Sequence, residues 1–461
     1  MRCLLACFLL CLNVLAPVWA DNGHLPGLSG TLMDESVFGG QVKVYHGGRE
    51  EGVPVVLVHG LGTDASASWT PVVAALKEKH PVIVFDLPGF RRSTRANELY
   101  SPENYARVLH EVISEFAPGQ EVMLVGHSMG GAISLRYAAR HPETVKTLHL
   151  VSVAGVLHRS AFAAFMARVG DPDGRVDGSG GPGNPVDRAL SAAIRKFSRR
   201  APNADALLHN IFFRQAVLGG DPEVIAAFAL VAHDFGPSLD QVRAPTRIYW
   251  GEQDRTAPLR TGEVLLARLP LASLTVFPDA GHAPMLEIPG RFNEVLLAGL
   301  DSADGSGGDS PVPAQKPGEE DAVCRDQRRF HLSGEFRRVR IENCRDVVLM
   351  DVAARALIIH DSRVRTRNLR LEGSADSEEA VLQVRNSNVL MTGGHISGGW
   401  LMDTQRSVLD MAGTILETTD RALVNTGAEP SEFIFSVTTL KRGERRRYLH
   451  DVMAFQKGDS L

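Results

Sequence analysis

Short runs of Val, Ile and Leu alternate with amphipathic stretches over the first part of the chain. The runs predict strands at Gln41–Tyr45, Pro54–Val58, Val82–Asp86, Glu121–Val125, Thr147–Val151, Arg247–Trp250 and Ser273–Phe277. Most are continuously apolar, which is typical of strands buried on both faces of a mostly parallel sheet. Helical patterns separate them at Trp69–Lys79, Pro102–Phe116 and Gly131–Arg140. The pattern therefore predicts an α/β fold.

One stretch of this region contains no strand pattern. From about Leu157 to Leu239, helical patterns rich in Ala and Phe flank the Gly-rich loop Asp171–Pro185. We expect an all-helical insertion between two strands, over residues 157–239. It would act as a cap at the carboxyl-terminal edge of the sheet.

The C-terminal region has a different pattern, in which short β-type runs recur. They are Val339–Ile341, Val347–Met350, Ala356–Ile359, Leu369–Leu371, Val381–Val384, Val389–Met391, Ser407–Met411 and Ala422–Val424. Turn-like triplets that begin at Glu342, His360 and Arg385 follow some of them, 18 and then 25 residues apart. This spacing is close to the repeat of a stacked solenoid. We predict an all-β, solenoid-like domain that resembles a short right-handed β-helix; a small β-sandwich is the alternative.

A segment rich in Gly, Ser, Pro and acids separates the two regions. Residues Asp301–Asp321 have the composition of a flexible linker. The sequence thus predicts an α/β domain over residues 24–300, a linker over 301–321 and a β-rich domain over 322–461.

The first twenty residues have the pattern of a secretory signal peptide. Arg2 precedes the apolar run Leu4–Val18, and Val18-Trp19-Ala20 offers small residues at a cleavage site. We therefore expect an exported protein, periplasmic or secreted; an uncleaved N-terminal anchor is the alternative. No later segment is long and apolar enough to predict a membrane span.

Charge and cysteine content narrow the possible partners and the compartment. The formal net charge of -5 disfavours a dedicated nucleic-acid binder, and acids balance the arginines of the C-terminal region. Three of the five cysteines lie in the predicted signal peptide, which leaves Cys324 and Cys344. In an oxidising compartment these two would be disulfide partners, and two buried free thiols are the other interpretation.

The candidate chemistry centres on Ser128. Gly126-His127-Ser128-Met129-Gly130 directly follows a predicted strand and precedes a predicted helix. A nucleophile at such a sharp turn needs small neighbours, and the start of the helix presents N–H groups to an oxyanion. An ordinary helix cap is the other interpretation of Ser128.

A serine hydroxyl needs a base, which in turn needs an acid to orient it. His282 follows the last predicted strand, and Asp254 follows the strand before it. The competing carboxylates are Asp279 and Glu252. We predict Ser128, Asp254 and His282 as the catalytic residues.

The predicted oxyanion hole consists of the backbone N–H groups of Leu61 and Met129. Leu61 lies in the Gly-rich segment after a strand, where His59 is expected to hold the loop by hydrogen bonds. We predict no metal and no organic cofactor, because no metal-ligand spacing or phosphate-binding loop is present.

Taken together, these motifs resemble the α/β-hydrolase superfamily over residues 24–300. The blocks are His59-Gly60-Leu61-Gly62, Asp86-Leu87-Pro88-Gly89, Gly126-His127-Ser128-Met129-Gly130-Gly131, Gly251-Glu252-Gln253-Asp254 and Gly281-His282. The resemblance implies a Ser128, Asp254 and His282 triad and a cap near Leu157–Leu239. The chain departs from the family at Phe90-Arg91-Arg92-Ser93, where the family often has a small residue before Ser. Two arginines there would favour an anionic substrate at the site entrance or, alternatively, form a solvated loop.

The resemblance implies hydrolysis of a small, ester-like substrate through an acyl-enzyme. C–C bond hydrolases, amidases, acyltransferases and cofactor-free peroxidase-like enzymes share these motifs. A different class of function is a surface-binding protein that uses the C-terminal region toward an unknown partner. The complete set of triad residues argues against that class, and a chain ending near Leu300 would be expected to retain activity on a small ester.

Overall fold

The computed structural model describes residues 25–169, 204–302 and 315–461. Within these ranges the chain forms two compact units. The first comprises residues 25–156 and 204–302, and the second comprises residues 157–169 and 315–461. The predicted signal peptide (1–20), the loop Asp171–Pro185 and most of the predicted linker lie outside the described residues.

The first unit contains an eight-stranded sheet. Its strands are β1 (Leu28–Glu35), β2 (Gly40–Gly48), β3 (Val55–Val58), β4 (Pro81–Phe85), β5 (Val122–His127), β6 (Val145–Val151), β7 (Thr246–Gly251) and β8 (Ala272–Phe277). They lie in the order β1-β2-β4-β3-β5-β6-β7-β8. The pairs β1-β2 and β2-β4 are antiparallel. The remaining pairs, β4-β3, β3-β5, β5-β6, β6-β7 and β7-β8, are parallel. The predicted mostly parallel α/β sheet is confirmed.

All seven predicted strands are present, and β1 is the one strand of this sheet that was not predicted. β1 lies at the edge of the sheet, and most of its residues are exposed, including Leu32. An edge strand exposed in this way has no need of the continuous apolar run that marks the central strands.

The helices of the first part of the chain match their predicted positions. A 3-10 helix at Ala65–Trp69 leads into α1 (Thr70–Leu76), followed by α2 (Pro102–Phe116) and α3 (Met129–Arg140). Ser101 caps α2 by accepting a hydrogen bond from the Asn104 N–H at 3.2 Å. Trp69, at the end of the 3-10 helix, is completely buried in the core.

The described part of the predicted cap is helical. Its elements are α4 (Arg159–Val169), α5 (Ala204–His209), α6 (Ile211–Leu218), α7 (Pro222–Ala232) and α8 (Gly236–Leu239). Residues 157–169 belong to the second compact unit, whereas residues 204–239 belong to the first. Three further helices, α9 (Leu259–Arg268), α10 (Pro284–Glu287) and α11 (Pro289–Asp301), complete the described part of the first unit.

The C-terminal region of the second unit is all-β, as predicted. Its strands are β9 (Asp321–Arg325), β10 (Arg328–Glu342), β11 (Arg345–His360), β12 (Arg363–Arg367), β13 (Arg370–Glu372), β14 (Leu382–Arg385), β15 (Asn388–Thr392), β16 (His395–Gln405), β17 (Val408–Ala412), β18 (Ile415–Asn425), β19 (Ser431–Ser436), β20 (Thr438–Arg442), β21 (Arg445–Leu449) and β22 (Val452–Phe455). The prediction missed β9, β12, β16 and β19 to β22. At β12, the sequence RVRTR exposes arginines on one face and buries only Val364 and Thr366, so it contains no apolar run.

Most of these strands pair in parallel and in register. Val347 pairs with Val364, and Val364 pairs in turn with Val389. The same column continues through Leu409 to Phe433, and all five side chains are buried. The apolar side chains therefore stack in columns through a shared core.

The three predicted turns lie at equivalent corners between consecutive strands of this sheet. Asn343, Asp361 and Asn386 each adopt a positive φ of 46–50°. Asn and Asp tolerate this left-handed conformation better than most residues do. The Asn343 side chain donates to Asp326 at 2.7 Å, and that of Asn386 donates to Asp361 at 2.5 Å.

A column of small polar residues follows these turns. The Cys344 N–H donates to Ser362 Oγ at 2.8 Å, and the Ser362 N–H donates to Ser387 Oγ at 3.0 Å. The same pattern continues through Ser407 to Ser431. Each hydroxyl therefore satisfies a buried N–H of the neighbouring turn. Cys344 also forms a disulfide with Cys324, which resolves the two interpretations of these cysteines.

Candidate active site

Ser128 lies in the turn between β5 and α3. Its backbone has φ 53° and ψ -118°, a strained conformation for a residue other than glycine. The packing around the turn requires small neighbours: a Cβ on Gly130 would lie 2.2 Å from the Val58 carbonyl oxygen, and one on Gly60 would lie 2.9 Å from Ser128 Cβ. The glycines therefore let three backbone segments meet around the serine.

The structure brings the three predicted catalytic residues together. His282 Nε2 lies 3.0 Å from Ser128 Oγ, and His282 Nδ1 lies 2.8 Å from Asp254 Oδ2. With the proton on Nδ1, the imidazole donates to Asp254 and can accept the hydroxyl proton of Ser128. The Asp254 side chain is fully buried, and that of His282 is 14% exposed. This is the connected geometry that a serine nucleophile requires.

Asp254 is held by hydrogen bonds from its own loop. Its Oδ1 accepts the N–H groups of Thr256 and Ala257, each at 2.8 Å. This leaves Oδ2 for His282. The competing carboxylate of Asp279 is exposed and pairs instead with Arg291 at 3.0 Å. The other competitor, Glu252, is also exposed.

Glu287 positions the His282 loop and was not among the residues predicted from the sequence. Its carboxylate accepts the Gly281 N–H at 2.5 Å and the Ala283 N–H at 2.9 Å. The two N–H groups flank His282, so one side chain holds the backbone on both sides of the base. A glutamate four to six residues from an N–H donor has no distinctive sequence pattern, and we find no signal that would have revealed it.

His127 also contacts this loop. Its Nε2–H donates to the His282 carbonyl oxygen at 2.9 Å, and its ring packs edge-on against Trp69. Burial and the nearby His282 ring lower the pKa of His127 to about 3. His127 is therefore neutral at neutral pH and acts as a hydrogen-bond donor to the loop.

The predicted oxyanion residues, Leu61 and Met129, each directly follow one partner of the close contact between Gly60 and Ser128. Met129 is the first residue of α3, and Leu61 follows Gly60, which approaches Ser128 closely. Neither the Leu61 N–H nor the Met129 N–H donates a hydrogen bond to any residue that the structure describes. Two N–H groups are thus available beside Ser128.

His59 holds the loop that carries Leu61, as predicted. Its Nδ1–H donates to the Gly60 carbonyl at 2.7 Å, and its Nε2 accepts the Leu87 N–H at 2.9 Å. Burial lowers the pKa of His59, in keeping with a neutral ring that donates on one side and accepts on the other.

The two arginines at which the chain departs from the family have different environments. Arg91 donates to the Asp64 carbonyl at 3.1 Å, while Arg92 is exposed. At Arg92 the environment favours the solvated-loop interpretation. Arg91 serves instead to connect two loops of the first unit.

Two further features of the described residues concern metal binding and membrane insertion. No three His, Cys, Asp or Glu side chains in residues 25–169, 204–302 and 315–461 form a group that could hold a metal ion. In the same ranges, no single helix has the length and apolar character to cross a membrane. The helices Ile211–Leu218 and Pro222–Ala232 satisfy those criteria only as a sharply bent pair.

Comparison with known proteins identifies the family. A match to the Alpha/beta hydrolase family covers residues 55–295, which includes Ser128, Asp254 and His282. Because this match spans more than half of the chain, the protein belongs to the alpha/beta hydrolase family.

Individual relatives are similar to this chain over about half of its length. Lipase 1 of Psychrobacter immobilis is 26% identical over 248 residues, covering 52% of this chain and 74% of the lipase. The 2-hydroxy-6-oxo-6-(2'-aminophenyl)hexa-2,4-dienoic acid hydrolase of Metapseudomonas resinovorans is 26% identical over 260 residues, covering 54% and 84%. Among solved structures, an esterase from Exiguobacterium antarcticum is 23% identical with a TM-score of 0.44, covering 59% of this chain and 100% of the esterase.

Proposed function

We propose that this protein hydrolyses carboxylic esters through an acyl-enzyme formed on Ser128. The observation that carries the proposal is the continuous chain of contacts from Ser128 Oγ to His282 and on to Asp254. The similarity to a lipase and to a dienoic acid hydrolase supports a small carbonyl substrate.

In the acylation step, Ser128 Oγ attacks the ester carbonyl carbon as its proton passes to His282 Nε2. The buried Asp254 carboxylate stabilises the imidazolium that forms. The available N–H groups of Leu61 and Met129 would stabilise the oxyanion. Collapse of the tetrahedral intermediate breaks the C–O bond to the alcohol, which leaves with the proton from His282.

In the deacylation step, a water molecule takes the place of the alcohol. His282 removes a proton from the water as the water oxygen attacks the acyl carbon. The second tetrahedral intermediate releases the carboxylic acid and returns the proton to Ser128. His282 must therefore keep one position through both steps, which the contacts of Glu287 and His127 with its loop favour.

Labelling with a fluorophosphonate probe tests the proposal. We expect the wild-type protein to label, Ser128→Ala to lose labelling and p-nitrophenyl ester hydrolysis together, and Ser134→Ala to behave as wild type. Ser134 is a buried serine on α3 outside the contact chain. Absence of labelling in the wild type, or equal labelling of Ser128→Ala, would contradict the proposal. Esters of graded acyl length would then define the substrate class.

For the C-terminal region, we propose a parallel β-solenoid over residues 322–461. The in-register parallel pairing, the buried apolar columns and the repeated left-handed turns support it. Each of these features recurs from one chain repeat to the next, as stacking requires.

We also propose that the protein is exported, with residues 1–20 as the signal peptide. The disulfide between Cys324 and Cys344 supports an oxidising compartment. Fractionation of expressing cells, followed by N-terminal sequencing of the mature chain, tests this. A chain that begins at Met1 in the cytosolic fraction would contradict it.

A further inference from the structure

The segment that carries Leu61 is held by hydrogen bonds mainly at its two ends. We call residues 60–66 the oxyanion loop. Within the part of the chain that the structure describes, neither Gly62 nor Thr63 forms a hydrogen bond. A Cβ on Gly62 would have no described atom within 4 Å, so the loop is open to its surroundings there. The position of the Leu61 N–H therefore depends on the contacts at the ends of the oxyanion loop.

One turn of the first unit holds both ends of the oxyanion loop. This turn follows β4 and comprises residues 86–93; we call it the β4 turn. At the start of the loop, the Leu87 N–H donates to the ring of His59 at 2.9 Å. At the end of the loop, Asp86 Oδ1 accepts the Ser66 N–H at 3.2 Å. The two ends are thus fixed relative to each other through a single turn.

The β4 turn is itself fixed by hydrogen bonds and packing. The Phe90 N–H donates to the Leu87 carbonyl at 2.9 Å, and the Ser93 N–H donates to the Phe90 carbonyl at 3.0 Å. Phe90 is buried, and its ring packs edge-on against that of His59. A side chain that extends from this turn therefore starts from a well-defined backbone.

Arg91 extends from the β4 turn to a third point on the oxyanion loop. Its Nη1 donates to the Asp64 carbonyl oxygen at 3.1 Å, and the Ala67 N–H donates to the same oxygen at 2.8 Å. Arg91 has φ 39°, a left-handed conformation that glycine would adopt freely and that strains a long side chain. A strained residue that makes a specific contact beside a reacting group points to a role in the site.

From these contacts we propose that Arg91 is a positioning residue for the oxyanion loop and, through it, for the Leu61 N–H. The proposal rests on the ester hydrolysis proposed above, in which that N–H stabilises the oxyanion. Such a donor acts mainly on the transition state, and a displaced donor stabilises the transition state less. Binding of the uncharged ester needs the donor less than the reaction does. The effect of Arg91 therefore falls on kcat rather than on KM.

Four variants separate this contact from folding and from charge. Arg91→Ala removes the guanidinium. Arg91→Gly removes both the guanidinium and the strained φ, so it should unfold at a temperature close to that of the wild type. Arg91→Lys keeps a positive charge and a hydrogen-bond donor. Arg92→Ala removes the adjacent, exposed arginine and is the matched control.

The first test measures the oxyanion loop itself by hydrogen exchange of the full-length chain. The Ala67 amide reports on the end of the loop, because it shares the Asp64 carbonyl with Arg91. We expect this amide to exchange at least about threefold faster in Arg91→Gly and Arg91→Ala, and at the wild-type rate in Arg92→Ala. Wild-type exchange in both Arg91 variants would overturn the positioning.

The second test measures hydrolysis of p-nitrophenyl acetate and inhibition by phenylboronic acid, which forms a tetrahedral adduct with a nucleophilic serine. In Arg91→Gly and Arg91→Ala we expect kcat to fall about tenfold with KM within about twofold of wild type, and the inhibition constant to rise by a similar factor as kcat falls. Arg91→Lys should be intermediate, and Arg92→Ala should match the wild type. An unchanged kcat, or a loss confined to KM, would overturn the role in catalysis. Failure of the wild type to hydrolyse the ester would instead contradict the proposed function, and the exchange result would still decide the positioning.

Discussion

The two compact units use buried polar groups in different ways. In the α/β unit each polar contact of the site occurs once: one carboxylate, Asp254, meets one imidazole, His282. In the C-terminal region the same contact recurs along the stack, with serine hydroxyls that accept neighbouring N–H groups at Ser362, Ser387 and Ser407. The contact between Asp254 and His282 therefore occurs at one place in the molecule. The serine hydroxyls instead accept a buried backbone N–H at each repeated turn.

This difference predicts different consequences of substitution. Loss of a contact that occurs once should remove activity while leaving most of the stability, because the surrounding sheet and its core remain. Loss of a contact in a repeated column should lower stability locally and leave the chemistry intact.

The largest effect is expected at Asp254. Asp254→Asn keeps an Oδ1 acceptor for the Thr256 and Ala257 N–H groups and removes the charge next to His282. We expect kcat for ester hydrolysis to fall by roughly 10⁴-fold with little change in unfolding. Asp279→Asn, at the exposed competitor, serves as the control and should retain activity. If kcat fell by less than tenfold in Asp254→Asn, Asp254 would not be the acid that supports His282.

The disulfide provides the corresponding test in the C-terminal region. It closes a loop with a sequence separation of 20. Replacing both Cys324 and Cys344 with serine should lower the unfolding free energy of this region by about 3 kcal/mol. Hydrogen exchange of the β10 and β11 amides measures the loss, and fluorophosphonate labelling of Ser128 should persist. Unchanged exchange would show that the stacked core alone determines the stability there.

A smaller effect is expected at Glu287, which holds the backbone on both sides of His282. Glu287→Ala leaves the Gly281 and Ala283 N–H groups without their acceptor. We expect kcat/KM to fall by about 10- to 100-fold, and Glu287→Gln to be intermediate. Glu294→Ala, at an exposed glutamate on α11, provides the control. Wild-type kinetics in Glu287→Ala would show that the loop keeps its position without this carboxylate.

The smallest effect concerns pH and the buried histidines of the α/β unit. Burial lowers the pKa of His149 to about 3. Between this value and the unfolded pKa of about 6.5 the unfolded chain binds more protons, so stability falls as pH falls, by up to about 1.4 kcal/mol per pH unit. In urea unfolding at several pH values, the free energy of unfolding should depend less on pH in His149→Gln than in the control His46→Gln. His46 is a half-exposed residue. Parallel curves would contradict this role of His149.

Local features of the fold and of the site were predictable from the sequence. The central strands are buried on both faces, so each appears as an apolar run, and the edge strand β1 does not. Gly126, Ser128 and Gly130 are close in sequence because the nucleophile turn is a single local structure. The turn residues Asn343, Asp361 and Asn386 were predictable for the same reason, since a left-handed conformation restricts the local residue type.

By itself, therefore, the sequence determined the mostly parallel α/β sheet, the nucleophile turn and a short set of candidate partners for Ser128. The tertiary structure places Asp254, the acid that the sequence predicted, rather than Asp279 against His282. Only the tertiary structure decided that Glu287 and His127 hold the His282 loop and that His158 meets Ser436. The physical reason is the range of the interaction. Backbone conformation and burial pattern depend on neighbouring residues, whereas hydrogen bonds between loops depend on where the folded chain brings them together.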